Sequence, residues 1–207
     1  MRLIFDLECG PLPREVIEPL FEPFEPNSGW KDPVKIERAR LEYIEDCIDR
    51  AALNPLTGQI LCIGLQEDDE PPWVLIEDTE AELIEEFWKI TGLRQVTHQL
   101  VGFDSNRFDL PYLVRRSWIL GIGVPKWLRK GRYWTDQAID LREIWQMGDK
   151  SAKGSLNSIC TALGLGSKTE ESGKDFHRWW KDDRPKAVAY SLQEIHLTSA
   201  LARRLGV

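Results

Sequence analysis

The chain has 207 residues, of which 42% are hydrophobic and 29% charged, with four cysteines, three histidines and a formal net charge of -7. At roughly 150 residues per domain this is one domain with elaborated loops, long enough to bury a core without staples. The balance excludes a disordered, collagenous or coiled-coil chain, and the negative sum argues against a protein held on nucleic acid by bulk electrostatics alone.

No apolar run reaches the ~18 residues of a membrane span, and Leu3-Ile4-Phe5 is cut at once by Asp6 and Glu8, so we expect neither a signal peptide nor an anchor. Cys9, Cys47, Cys62 and Cys160 are scattered with no C-x-x-C spacing, which points to free thiols and a cytoplasmic setting. Charge is unevenly spread. Residues 66–86 carry ten acids and no base, whereas residues 107–132 carry seven bases against Asp109 alone, so one side of the molecule is expected to be locally positive.

In chain order, Arg2 to Glu8 alternates Leu3, Phe5 and Leu7 with Ile4, Asp6 and Glu8, the period of a strand with acids on one face. Five prolines between Gly10 and Asn27 predict irregular chain, and Pro33 to Arg50 a charged helix, so that about residues 10–54 read as an insertion over the surface. Ile60–Leu65 and Trp73–Ile76 predict the second and third strands. Thr79 with Glu82 makes a capping box for a helix whose buried stripe is Leu83, Ile84, Phe87, Trp88 and Ile90. A strand at about Gln95 to Phe103, a helix from Asp109 to about Leu120 and a short strand at Ala138 to Leu141 come next. Ser155 to Leu163 predicts a helix stopped at Gly164, and Pro185 opens a last helix running to about Arg204. The element order predicts an α/β domain with a mixed five-stranded sheet flanked by helices.

Asp6 and Glu8 stand two apart on a strand, so both side chains leave the same face, with Cα atoms ~6.6 to 7 Å apart. Carboxylates that close repel unless cations share them; the alternative is a strand face turned to solvent. Asp109 in F-D-L-P-Y-L either caps the helix that follows or belongs with the first pair. Tyr190 and Glu194 lie one helical turn apart, a phenol above a carboxylate, on a stripe continued by Leu197 and Leu201.

Taken together, F-D-L-E on the first strand, G-F-D-S-N-R-F-D-L-P-Y-L opening a helix and Y-S-L-Q-E near the C-terminus resemble the three motifs of the DEDD superfamily of 3'-5' exonucleases. The D-x-E, N-x-F-D and Y-x-x-x-D pattern is that of its tyrosine branch, which includes the proofreading domains of family A and family B DNA polymerases. The chain is similar to the predicted stand-alone, polymerase-B-like exonucleases. The resemblance implies a ribonuclease H-like fold and removal of nucleotides from the 3' end of DNA. It implies two divalent cations, Mg²⁺ or Mn²⁺, held by Asp6, Glu8, Asp109 and Glu194, and Tyr190 orienting the attacking water. Such chemistry needs no protein nucleophile, in keeping with the lack of a G-x-S-x-G elbow or a Walker loop. The implied partners are single-stranded DNA or DNA 3' ends, with RNA and a separate DNA polymerase as further candidates and no membrane. An exoribonuclease on the same fold and a nuclease-dead relative that binds nucleic acid or a polymerase stay open as alternatives.

Two features depart from the pattern. Position 194 is Glu where the family has Asp, and His177 with Asp182 matches the H-x-x-x-x-D spacing of the histidine branch, although it falls before the last helix. Among secondary candidates, Asn106 and Arg107 beside Asp109 are placed to touch a terminal nucleotide. Arg129, Lys130 and Arg132, with Trp127 among them, are candidates for holding and stacking the strand. Asp140 reads as a strand-end acid or a support for the site, the tryptophans as mostly core, and Lys168 to Lys174 as a charged connection.

Overall fold

The computed structural model describes residues 1–92, 99–125, 128, 138–169 and 173–207. Its centre is β1 (Arg2–Pro11), antiparallel to β2 (Gly58–Glu67), which pairs antiparallel with β3 (Trp73–Leu75). On its other side β1 runs parallel to β4 (Gln99–Gly102), and β4 parallel to β5 (Ala138–Asp140), giving the order β3-β2-β1-β4-β5. This is the mixed five-stranded sheet the element order predicts.

Both faces of β1 are covered. Leu3, Phe5 and Leu7 pack with Leu83, Ile84 and Phe87 of α3 (Glu80–Gly92) and with Leu110 and Leu113 of α4 (Asp109–Ile119). Ile4, on the opposite face, packs with Ile159 of α6 (Leu156–Ala162) and with Ile195 and Leu201 of α8 (Arg184–Leu205). A strand covered on both sides has no solvent-facing row, so the period that puts Asp6 and Glu8 beside Ile4 carries them toward the interior. Glu8 is 7% exposed.

α8 lies directly on the sheet at Gly64 of β2: a Cβ there would meet Ile195 Cγ1 at 2.6 Å and Ser191 Oγ at 2.9 Å. Only a residue without a side chain lets the helix settle this close, and that seat sets the height of Tyr190 and Glu194. The opposite layer is locked by a buried ion pair. Arg116 of α4 donates to Glu80 of α3 at 2.6 and 2.9 Å and to Pro55 O at 2.8 Å, while Glu80 Oε1 accepts the Ile60 N–H.

Several elements differ from their predicted outlines. β1 continues through Gly10 and Pro11, and the proline-rich stretch holds the short helix α1 (Arg14–Ile17) and a 3-10 turn at Glu18–Leu20. Proline's fixed φ suits a first helical turn, and Pro19 stands in one, so these prolines start turns as well as forbid strands. α2 (Pro33–Ala51) matches the predicted helix, with Asp32 accepting the Val34 N–H as its cap. β4 begins at Gln99 rather than near Gln95, residues 93–98 lying outside the described set. β5 stops at Asp140, which caps α5 (Leu141–Gln146), and α7 (Phe176–Asp182) precedes α8; both helices are too short to show a hydrophobic period. The capping boxes at Thr79–Glu82 and at Ser155 are formed, and Asp183 caps α8. Of the described tryptophans, only Trp88 is buried, so most indoles line the edges of the core.

Candidate active site

The strand order reverses between β2-β1 and β4, and open α/β sheets leave a crevice beyond the carboxyl ends of the strands at such a point. Asp6 and Glu8 enter it from β1. There the ladder shifts: Glu8 pairs with Cys62 and Cys9 with Ile60, leaving Leu61 as an extra residue that bulges β2 opposite the acids.

Asp109 is the first residue of α4, delivered by the turn after β4. It does not cap α4, whose N-cap is Phe108 with no side-chain bond; its Oδ1 accepts the N–H of Leu7, between Asp6 and Glu8, at 3.1 Å. The alternative of a helix-capping aspartate is therefore corrected. From the other layer α8 contributes Tyr190 and Glu194, both buried, with the Glu194 charge acting on the phenol. The strand, the loop and the helix thus bring all four acids and the tyrosine into one electrostatic group.

The group is under tension. Burial pushes the Asp6 carboxyl well above the carboxylate range, and the charges of Asp109 and Glu194 push it further. Glu8 is raised likewise, by burial first and then by Asp6 and Glu194. Asp109 is pushed up to about 7 by burial, against the pull of the Leu7 N–H. Burial also raises the Tyr190 phenol, which keeps its proton throughout the neutral range.

The countercharge is Lys168. Its ammonium pairs with Glu194, lies 5.5 Å from the centre of the Tyr190 ring and draws the Asp6 and Glu8 carboxyls down. Sequence reasoning takes this residue for part of a connection, because a single lysine in a loop has no period or partner visible along the chain.

Asp140 is the other buried acid near the site. Its carboxylate accepts the N–H groups of Asp104, Asn106 and Arg142 at 2.9 to 3.0 Å, and the Arg142 guanidinium returns to Asp104 at 2.9 Å. Asp104 has φ of 60°, a left-handed conformation that costs a non-glycine residue energy and is held here by that carboxylate. Asp140 so fixes the turn that delivers Asp109. Asn106 gives its amide N–H to Glu143 at 3.1 Å, and Arg107 is exposed. Trp127, Arg129, Lys130 and Arg132 lie outside the described residues. Of the rival pair, Asp182 is exposed at the end of α7 and His177 faces Asp49 at 3.7 Å.

The donor set suits a hard divalent cation: carboxylate oxygens, with Glu8 Oε1 buried and lacking any hydrogen-bond partner. Among the described residues no three His, Cys, Asp or Glu side chains yet form a ready cage, and Lys168 holds Glu194 in the meantime.

The family model described as a predicted 3'-5' exonuclease related to the exonuclease domain of PolB matches residues 73–195, more than half of the chain. The chain belongs to this PolB-related exonuclease family. The matched span contains Asp109, Tyr190 and Glu194; Asp6 and Glu8 lie ahead of it. Among solved structures, the family B DNA polymerase of the hyperthermophilic archaeon Pyrobaculum calidifontis matches with a TM-score of 0.65 and 20% identity. The match covers 98% of this chain and 24% of the polymerase, so the chain corresponds to about a quarter of that molecule and shares the ribonuclease H-like fold of the PolB exonuclease domain. No curated protein matches the sequence. No helix among the described residues is long and apolar enough to cross a membrane.

Proposed function

We propose that this single-domain chain is a 3'-5' exodeoxyribonuclease that hydrolyses phosphodiester bonds from the 3' end of DNA, preferring single strands. The observation that carries the reading is the gathering of half-buried Asp6 with buried Glu8, Asp109 and Glu194 into one group, in which burial and the neighbouring charges raise the Asp6 and Glu8 carboxyls. A fold does not collect four acids inside unless something positive is to share them, and Lys168 supplies a single charge.

Asp6, Glu8, Asp109 and Glu194 would hold two divalent cations, Mg²⁺ or Mn²⁺. When bound, such ions supply an activated water and stabilise charge on the phosphate and the departing 3'-oxygen. The protein does the rest by placement. The Leu7 N–H fixes one oxygen of Asp109 and so the position of the carboxyl beside Asp6 and Glu8. Tyr190, kept protonated by burial, is a donor at neutral pH and would orient the water through its hydroxyl. Lys168 compensates the acids when fewer cations are present and can turn toward the non-bridging phosphate oxygens when the strand arrives.

The test is incubation of the purified chain with 5'-labelled single-stranded DNA and RNA, with Mg²⁺, Mn²⁺ or chelator. A metal-dependent ladder shortening from the 3' end of DNA is the expected result. A ladder on RNA alone makes the protein an exoribonuclease, and no ladder with either makes it a binding relative.

A further inference from the structure

α4 carries Asp109 at its first turn and an apolar hollow at its last, roughly 13 Å away at 1.5 Å per residue. A cavity of about 440 Å³ lies there against the turn that follows α2, lined by Asn54, Pro55, Leu56, Arg115, Trp118 and Ile119. Its apolar side chains face out: Leu56 is 70% exposed, Trp118 55% and Ile119 48%, and Leu53 on the same turn is exposed as well. The hollow is also rigid. The Tyr112 hydroxyl donates to Ala52 O at 3.0 Å, Arg116 to Pro55 O at 2.8 Å, and the Leu56 N–H to Asn54 Oδ1 at 3.0 Å. Apolar groups held exposed in a fixed concave shape mark a docking surface whose ordering cost is already met. Arg115 is the one charged residue of the lining, and it makes no hydrogen bond or ion pair among the described residues.

The chain also carries a projection that matches this hollow. α1 and the 3-10 turn after it leave Val16 50% and Leu20 63% exposed, four residues apart. Beside them Glu15 is exposed and has no ion pair among the described residues, whereas Glu18 is taken by Arg14. Projection and hollow are neighbours, because the Leu12 N–H, just ahead of α1, bonds Thr57 O of the hollow's turn at 2.9 Å.

We propose that this face is a self-association surface on which two copies of the chain pair about a two-fold axis. Val16 and Leu20 of each copy enter the hollow of the other, with Glu15 set against Arg115. Charge and shape favour this occupant. A lone cation in an apolar hollow suits a lone acid beside two apolar side chains, while a nucleic-acid strand needs a row of cations along its phosphates. Position favours it too. In a two-fold pair each contact occurs twice with the roles exchanged, and two features side by side can both be engaged at once, which closes the assembly at two copies. Each copy has a net charge of -7, so the long-range field opposes the pair and the apolar contact must hold it. The patch is small, and a dissociation constant on the order of 10 µM is expected.

The experiment is sedimentation equilibrium of the full chain without substrate or metal, from about 2 to about 200 µM, a span that brackets the expected constant. The mass should rise from 23.9 kDa toward twice that value. Salt at about 0.5 M should not loosen the pair, because screening relieves the repulsion between the copies as well as weakening one ion pair. Leu20→Asp and Ile119→Glu, both at exposed positions, should each raise the dissociation constant about tenfold or more, with circular dichroism confirming the fold. Glu15→Arg and Arg115→Glu should each weaken the pair about threefold, and the two together in one chain should restore it. A mass of 23.9 kDa at every concentration overturns the proposal, as does a dimer that survives both apolar substitutions. A mass that climbs past two copies overturns the two-fold closure, and a double charge reversal that restores nothing overturns the pairing of Glu15 with Arg115. If the chain stays monomeric and Arg115→Glu weakens its binding to oligo(dT), the hollow belongs to a nucleic-acid strand and not to a second copy.

Discussion

Replacing Asp109 by Asn removes a buried charge and keeps an oxygen that can accept the Leu7 N–H. In the metal-free protein this carboxyl is pushed from 3.8 to about 7, chiefly by burial, with Asp140 and Asp104 adding to the rise. Between the unfolded value and the folded one the native state binds more protons, so stability falls as pH rises through that window and stays lowered above it. The span is worth roughly 4 kcal/mol at about 1.36 kcal/mol per pH unit, an upper bound because Asp6 and Glu8 compete for the same protons. Asp109→Asn does not carry this penalty. In chelator at pH 8 it should melt several degrees above the parent, at about 2–4 °C per kcal/mol for a chain of this size, and the gain should shrink toward zero near pH 4. Thermal melts across pH 4–8, with chelator and with Mn²⁺, make the measurement. Mn²⁺ should raise the parent more than the variant, and cleavage by the variant should fall about 10²-fold or more. A variant that melts below the parent at pH 8 in chelator, or gains the same amount at every pH, refutes the account of Asp109 as a strained, charge-sharing group.

Arg116→Ala strands the buried Glu80 carboxylate and should cost about 3–5 kcal/mol in chemical denaturation, whereas Arg116→Met combined with Glu80→Leu should cost much less. Glu194→Asp should keep cleavage within about tenfold, and Glu194→Ala should lose most of it, since ~1 Å of misplacement in the reacting group can cost on the order of 10²-fold; a metal titration of an Ala variant that behaves like the parent would remove Glu194 from the ligands. Replacing Arg129, Lys130 and Arg132 by Ala should reduce the salt slope of single-strand binding by about 2 if they contact phosphates. An unchanged slope moves the strand path away from that stretch.

The sheet, the capping boxes and the last helix are legible in the sequence because each rests on local rules: a period of two, a hydroxyl three residues before its acceptor, a proline in a first turn. Asp6, Glu8, Asp109, Tyr190 and Glu194 are legible for a different reason, their motif order, since no local rule distinguishes an acid on a covered strand from one on a bare strand. The same limit leaves Asp109 between a cap and a member of the group until β1 is seen to offer it the Leu7 N–H from 102 residues away, and it explains what is missed. Asp140 reads as a strand end until its three backbone donors from the neighbouring loop and helix are on view. Lys168 has no sequence signal at all, because its partner lies on another element and the connection between them has no period.

Packing decides that α8 and not α7 brings a tyrosine and an acid to the acids of β1. The two helices meet at a tight corner, and both carry an acid at the spacing of a known motif. α7 is turned by its ties to α2: Arg178 bonds Asp49 at 2.8 Å and His177 faces the same carboxylate, which uses the histidine and leaves Asp182 at the solvent end. α8 is instead pressed onto Gly64 by Ser191 and Ile195, so the residues flanking them, Tyr190 and Glu194, are the ones carried to the acids of β1. The glycine and the ion pairs therefore decide which helix faces the acids of β1. The Glu194 carboxylate is held by the Lys168 ammonium, a partner that a metal bound there as proposed would have to displace. If the acids hold a metal as proposed, filling the site is a competition between Lys168 and that metal for Glu194, and the strength of metal binding would depend on how readily the lysine gives way.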